Sequence, residues 1–171
     1  MKITNRAAEG YSTGAILLLD RAEGANDLLD YAAAESLYSE VIDEFPLPPF
    51  AYAKRGYARS KLGKFALAVE DFGSAISRKP NSPVTIWQRA LAYEALGKLD
   101  LALNDYSLFL QFNGGDDEAY LAIGMIYEYR GDISRALDFY RDAIRVCPTN
   151  KEAQFRIEKL TQLGGSEEAR A

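Results

Sequence analysis

The sequence contains no histidine, a single cysteine and a shortage of positive charge: 20 Lys and Arg stand against 25 Asp and Glu, for a formal net charge of −5. Without histidine the chain lacks the commonest general acid–base group and the commonest zinc ligand. One cysteine, Cys147, leaves no partner for an internal disulfide and fits a reducing compartment. The acidic balance argues against nucleic acid as a main partner, since phosphate backbones are bound by clustered Lys and Arg. Long hydrophobic runs are missing too. Lys2 and Arg6 precede the apolar stretch Ala15 to Leu19, but Asp20 ends it well short of a signal peptide or a membrane span. No lipid-attachment motif is seen at either end, so the expectation is a cytoplasmic protein with no membrane partner.

The remaining candidates for chemistry are few. Cys147 falls at a predicted helix end, where the partial negative charge of the helix dipole disfavours a thiolate. Asp116, Asp117 and Glu118 read as a capped helix start with acids in the first turn, in preference to a cation site. No phosphate-cradling glycine loop is present. The reading is a protein that is not an enzyme, with no cofactor and no metal.

What the sequence does contain is a period of 34 residues. Gly63, Gly97 and Gly131 fall in register, as do Ala68, Ala102 and Ala136, and Phe72, Tyr106 and Tyr140. A weaker copy precedes them, with Ala22, Ala34, Tyr38 and Pro46 where later copies carry Gly56, Ala68, Phe72 and Pro80. Apolar residues recur at helical spacing on both sides of each in-register glycine, which predicts two amphipathic helices per unit joined at that glycine. Gly56, Ala90 and Gly124 lie mid-way along the first helix, where glycine costs roughly 1 kcal/mol against alanine unless a neighbour needs the space. Ala68, Ala102 and Ala136 on the second helix are the small partners, and the aromatic four residues later fills the wider gap on the same face.

Tyr120, Ile123, Gly124, Tyr127, Ala136, Tyr140, Ala143 and Pro148 match the tetratricopeptide pattern position by position, and the period agrees. The chain thus resembles a tetratricopeptide-repeat protein over residues 15 to 163. The resemblance implies an all-α fold, a right-handed superhelical solenoid of antiparallel helix pairs. The expected organisation is a flexible segment 1–12, then one domain over 13–163. Its repeats run at about 15–48, 49–82, 83–116 and 117–150, followed by a capping helix over 151–163 and a flexible tail 164–171. The capping helix carries Ala153, Ile157, Leu160 and Leu163 on one stripe, the cover that a repeat stack needs at its end. Leu29 replaces the turn glycine of the first repeat, and Gly114 replaces the closing proline of the third. Ser82 before Pro83, Asp116 and Asn150 are the predicted helix caps.

Comparison of the units with one another adds a linked substitution. Arg55 and Asp71 occupy the same places as Arg89 and Asp105, while the fourth unit has Ile123 and Phe139 there. A guanidinium facing a carboxylate across two helices predicts a bidentate, half-buried pair whose members change together, because one stranded partner costs more than the pair contributes. In the first unit Arg21 faces Leu37, and Arg21 is expected to turn to solvent or to neighbours on the side of Asp20.

In the family that the sequence resembles, the first helix of each repeat lines a concave groove. Carried over, the groove residues of the second repeat are Phe50, Lys54, Tyr57 and Lys61; those of the third are Trp87, Gln88, Leu91 and Glu94; those of the fourth are Leu121, Met125, Glu128 and Tyr129. The apolar ones are not needed for packing between helices in this frame, which implies a partner protein. With Glu94, Glu118 and Glu128 at the rim, the expected ligand is a peptide or amphipathic helix with apolar anchors and some basic residues. Alternatives are a chaperone for secreted or assembling subunits, a self-associating homo-oligomeric scaffold, or a groove filled by the chain's own Ile3 and Tyr11 or by Phe155. The carboxylate clamp by which some relatives hold an acidic chaperone tail is missing: its places hold Leu19, Glu23, Lys54, Val84 and Gln88, or Ala53, Tyr57, Gln88, Glu118 and Ala122 one unit on. Arg59 stands where Tyr93 and Tyr127 stand later, and is expected to reach towards Glu94 in preference to a ligand.

Overall fold

The computed structural model describes residues 12–44 and 49–168, with side chains as far as Gln162. The roles expected of Ile3, Tyr11 and Pro46, and of the Leu163 side chain, lie outside the described residues. Among the described residues all regular structure is helical: α1 (Thr13–Asp27), α2 (Tyr31–Glu44), α3 (Pro49–Lys61), α4 (Phe65–Arg78), α5 (Pro83–Ala95), α6 (Leu99–Asn113), α7 (Asp117–Tyr129), α8 (Ile133–Val146) and α9 (Lys151–Glu168). Four helix pairs and a closing helix therefore follow the 34-residue period. None of these helices is long and apolar enough to cross a membrane.

The chain falls into two compact units, Met1–Lys98 and Leu99–Ala171, with the division between α5 and α6. In the first, α1 to α5 pack in sequence order, each on the next. One core cluster joins Leu19 and Ala22 of α1 to Ala34, Tyr38 and Val41 of α2 and to Ala51 and Ala58 of α3. A second brings Ala68 and Phe72 of α4 onto Ala92 of α5. In the second unit, α6 to α9 pack in the same manner, and Ala136, Tyr140 and Ala143 of α8 meet Ala153 and Leu160 of α9. Small and aromatic residues alternate at these contacts as the period requires.

The turns explain the in-register glycines. At Gly63, Gly97 and Gly131 the backbone is left-handed, with φ of 73°, 68° and 77°. Each turn carries the same two hydrogen bonds, as in Lys64 N–H to the Arg59 carbonyl (2.8 Å) and Gly63 N–H to that of Ser60 (3.0 Å). Leu29 takes the same conformation, φ 63°, and the same pair of bonds, so the first repeat keeps its turn without the glycine.

Two of the three expected caps form, one differs, and Asp132 adds a cap that the sequence reading did not name. Asp116 accepts from Ala119 N–H (3.0 Å) and Asn150 from Ala153 N–H (2.9 Å). Asn150 also donates to Asp117 (2.8 Å), tying α9 to α7. Asp132 caps α8 through Arg135 N–H (3.1 Å). Ser82 precedes α5, with Pro83 opening the helix, but its hydroxyl bonds that of Thr85 (2.8 Å) and no backbone N–H. The helix α9 continues through Gly164 and Gly165 to Glu168, five residues past the expected end at 163.

Candidate functional site

Two arginines of α3 organise the first unit. Arg55 Nε and Nη2 donate to the two carboxylate oxygens of Asp71 on α4, at 2.9 and 2.7 Å, the bidentate pair that the repeat comparison predicts. Arg55 Nη1 also reaches Ser39 of α2 (3.1 Å). Arg59 does not follow its expected course. Its Nε donates to the half-buried Glu35 of α2 (3.0 Å) and its Nη1 to the buried Asp71 of α4 (2.9 Å), acids within its reach on the neighbouring helices. Lys64 closes the network on Glu35 (2.6 Å). That hydrogen bond, with the help of Arg59, holds the Glu35 carboxyl below its ordinary value. Asp71 is 3 % exposed and is held by two guanidiniums.

Beside this network lies a cavity of ≈ 330 Å³, lined by Asn26, Ala53, Lys54, Tyr57, Phe72, Val84, Thr85 and Gln88. Three of the predicted groove residues, Lys54, Tyr57 and Gln88, meet here. Tyr57 is held by the edge of Tyr31, ring centroids 6.2 Å apart, and by Lys61, whose ammonium sits 5.3 Å from its ring centre. Phe72 supplies an apolar wall, and Val84 stands 71 % exposed beside it. The Asn26 side-chain oxygen is buried without a hydrogen-bond partner. Sequence reasoning missed Asn26, Phe72 and Thr85. Phe72 reads as a core residue from its register and is one, 1 % exposed; it lines the cavity from within the core.

The other predicted residues are distributed differently. Phe50 is half-buried against the core of α1 to α3, so it serves packing as well as surface. Trp87 and Glu94 on α5 are half-buried, and Leu91 is exposed. In the second unit Leu121 packs half-buried on the α8–α9 cluster, whereas Met125 and Tyr129 are exposed, Tyr129 to 82 %. Glu128 is committed within the fold: Tyr140 donates its hydroxyl (2.5 Å), Arg156 of α9 donates Nη1 (2.8 Å), and Lys159 approaches to 3.7 Å. Burial pushes the Glu128 carboxyl up, but the Tyr140 and Arg156 bonds outweigh it and the net shift is downward. Burial and the Glu128 bond together raise the Tyr140 hydroxyl far above its usual range. Phe155 of α9, weighed as a groove filler, is 60 % exposed.

A larger cleft of ≈ 490 Å³ lies in the second unit between α6 and the α7–α8 turn. Its cations are already matched, Arg130 to Asp100 (2.8 Å) and Arg135 to Asp132 (2.5 Å). Such a lining gives a guest little uncompensated charge, and the smaller cavity of the first unit is the better candidate. No cluster of His, Cys, Asp or Glu suited to a metal ion occurs among the described residues.

No curated protein matches the chain at the level of sequence. Two tetratricopeptide-repeat family models match it, one over residues 51–82 and one over 117–159. Among solved structures, MamA protein superposes with a TM-score of 0.81 at 18% identity, covering 88% of this chain and 82% of its own. A tetratricopeptide repeat protein from Parabacteroides merdae ATCC 43184 gives a TM-score of 0.81 at 22% identity, over 91% of this chain and 62% of that one. The first tetratricopeptide domain of Spaghetti (RPAP3), bound to the HSP90 peptide SRMEEVD, gives 0.62 at 25% identity, over 68% of this chain and 93% of that one. The period read from the residues, the helix pairs and these matches lead to one motif, and the chain belongs to the tetratricopeptide-repeat proteins.

Proposed function

We propose that the protein is a non-enzymatic adaptor that takes a peptide segment of a partner protein into the cavity of its first unit. The observation that carries this is the convergence there of an apolar floor and unused polar groups: Phe72, Tyr57 and Val84 beside Lys54, Gln88 and the unpartnered Asn26 oxygen. An apolar side chain seated on that floor contributes roughly 1.5–3 kcal/mol before ordering costs. A backbone N–H from an extended peptide would satisfy Asn26, whose burial without a donor is otherwise unfavourable.

The charge preference follows from what lines the cavity. Lys54 is its charged residue and no acid faces it. Glu128, which the sequence reading set against a basic ligand, is engaged by Arg156 and Lys159. The ligand of the first unit is accordingly an extended segment with one apolar anchor and an acidic side chain opposite Lys54. The peptide-bound relative supports a peptide as the ligand class, although the clamp places of this chain keep a cation only at Lys54.

A random-peptide display selection tests the reading. Enriched peptides are expected to share an apolar residue near an acid and to bind Lys54→Glu at least tenfold more weakly, with the melting temperature unchanged. Peptides that bind both proteins equally would overturn it.

A further inference from the structure

The first helix turn is anomalous in a way that packing does not explain. Four turns in the chain share one backbone conformation and one pair of hydrogen bonds. Three of them carry glycine in the left-handed position, at 63, 97 and 131; the first carries Leu29 at φ 63°. A β-carbon is strained there, so leucine destabilises a turn that glycine would accept without penalty. Leucine also gains little from burial in this position. Leu29 is 67 % exposed and its neighbour Leu28 is 83 % exposed, the highest value among the exposed large apolar residues. At the corresponding place in the next turn of the same unit, Leu62 is 37 % exposed.

The charges around this ridge are unevenly used. Lys64 is taken by Glu35, and Lys61 lies over the Tyr57 ring. Asp27 and Asp30, which flank the two leucines, are exposed and enter no ion pair among the described residues; Asp30 only accepts Ala33 N–H at the start of α2 (3.1 Å). A solvent-facing leucine pair, with Leu29 held in a strained conformation, between two acids without an ion pair among the described residues is the chemistry of a docking ridge.

We infer that Leu28 and Leu29 dock a basic amphipathic helix of a partner protein, with its apolar face on the leucines and its Lys or Arg side chains on Asp27 and Asp30. This contact is separate from the peptide cavity and does not depend on it. An apolar partner face explains the leucines, and complementary charge explains why both acids stand unpaired.

The probe is a labelled 18-residue helix with a leucine face and a lysine face, alongside a matched leucine–glutamate helix, titrated against the whole chain by fluorescence anisotropy. The wild type is expected to bind the lysine helix at least tenfold more tightly than the glutamate helix. Leu28→Ser with Leu29→Gly is expected to lose that binding about tenfold while melting no lower than the wild type, since glycine suits the turn. Asp27→Asn with Asp30→Asn is expected to remove the preference for lysine. The inference fails if the leucine variant binds unchanged, or if it melts several degrees lower, which would make the leucines structural. It also fails if sedimentation shows a wild-type dimer that the leucine variant abolishes, since a second copy would then cover the ridge.

Discussion

The ring of Tyr140 occupies the space that a β-carbon on Gly124 would need, with its Cε1 atom 2.5 Å from that point. The ring cannot easily withdraw, because its hydroxyl is tied to Glu128 on the same helix as the glycine. Gly124→Ala should therefore overpack the α7–α8 crossing and destabilise the protein by roughly 1–3 kcal/mol. Gly24→Ala is the control: a β-carbon there meets nothing within 4 Å, and removal of a mid-helix glycine should stabilise by about 0.5–1 kcal/mol. Urea unfolding of the two variants, read by circular dichroism, should shift in opposite directions.

Asp71 holds two guanidiniums, so its loss should be felt more than the loss of either. Asp71→Leu leaves Arg55 without a carboxylate and Arg59 with Glu35 alone, both guanidiniums only about one-seventh exposed. The expected loss is roughly 3–5 kcal/mol, the range for breaking a buried ion pair. Arg55→Met leaves Arg59 to neutralise Asp71 and should cost about half as much. A double-mutant cycle with Arg55→Met and Asp71→Leu should give a coupling of at least about 1 kcal/mol by denaturant midpoint; simple additivity would contradict the network.

The Gly124, Tyr140 and Arg55–Asp71 relationships were legible in the sequence because repeats report on themselves. A small residue facing an aromatic one period after period, or a charged pair replaced jointly, signals a contact within a unit. What lay beyond that frame was contact between units of the pattern and elements without a repeat counterpart. Arg59 turns to Glu35 on α2 of the preceding repeat and to Asp71 on α4. Glu128 reads as a free rim acid until α9, which has no equivalent in the period, brings Arg156 and Lys159 against it. Phe50 and Leu121 are half-covered for the same reason, by a preceding helix in one case and the closing helix in the other. Leu29 could be singled out as a departure from the pattern, but only its φ shows that the turn keeps the glycine geometry.

Glu128 gives a pH dependence with a definite sign. Its folded-state carboxyl lies below the ordinary value of 4.5, so the charged form favours the native state. That stabilisation is fully present above about pH 4.5 and is lost as the pH falls through the lower folded value. Glu128→Gln should lower the melting temperature by several degrees at pH 7, and the gap from the wild type should narrow steadily below pH 4.5. A gap that stays constant down to pH 3 would show that the Tyr140 and Arg156 bonds contribute nothing through the charge.

Val84 separates binding from folding most cleanly. It lines the cavity of the first unit while standing 71 % exposed at the start of α5, so the free protein gains little from its side chain. Val84→Ser should change unfolding free energy by no more than about 0.5 kcal/mol, as surface substitutions do. A peptide anchored on Phe72 and Tyr57 would nevertheless lose a covering apolar wall, and about 1.4 kcal/mol of lost contact weakens binding tenfold. Calorimetric titration of a display-selected peptide should show that loss with the melting temperature unmoved. Binding that survives intact in Val84→Ser would shift the peptide away from this cavity, and a fall in stability without a fall in affinity would make Val84 part of the packing between α3 and α5.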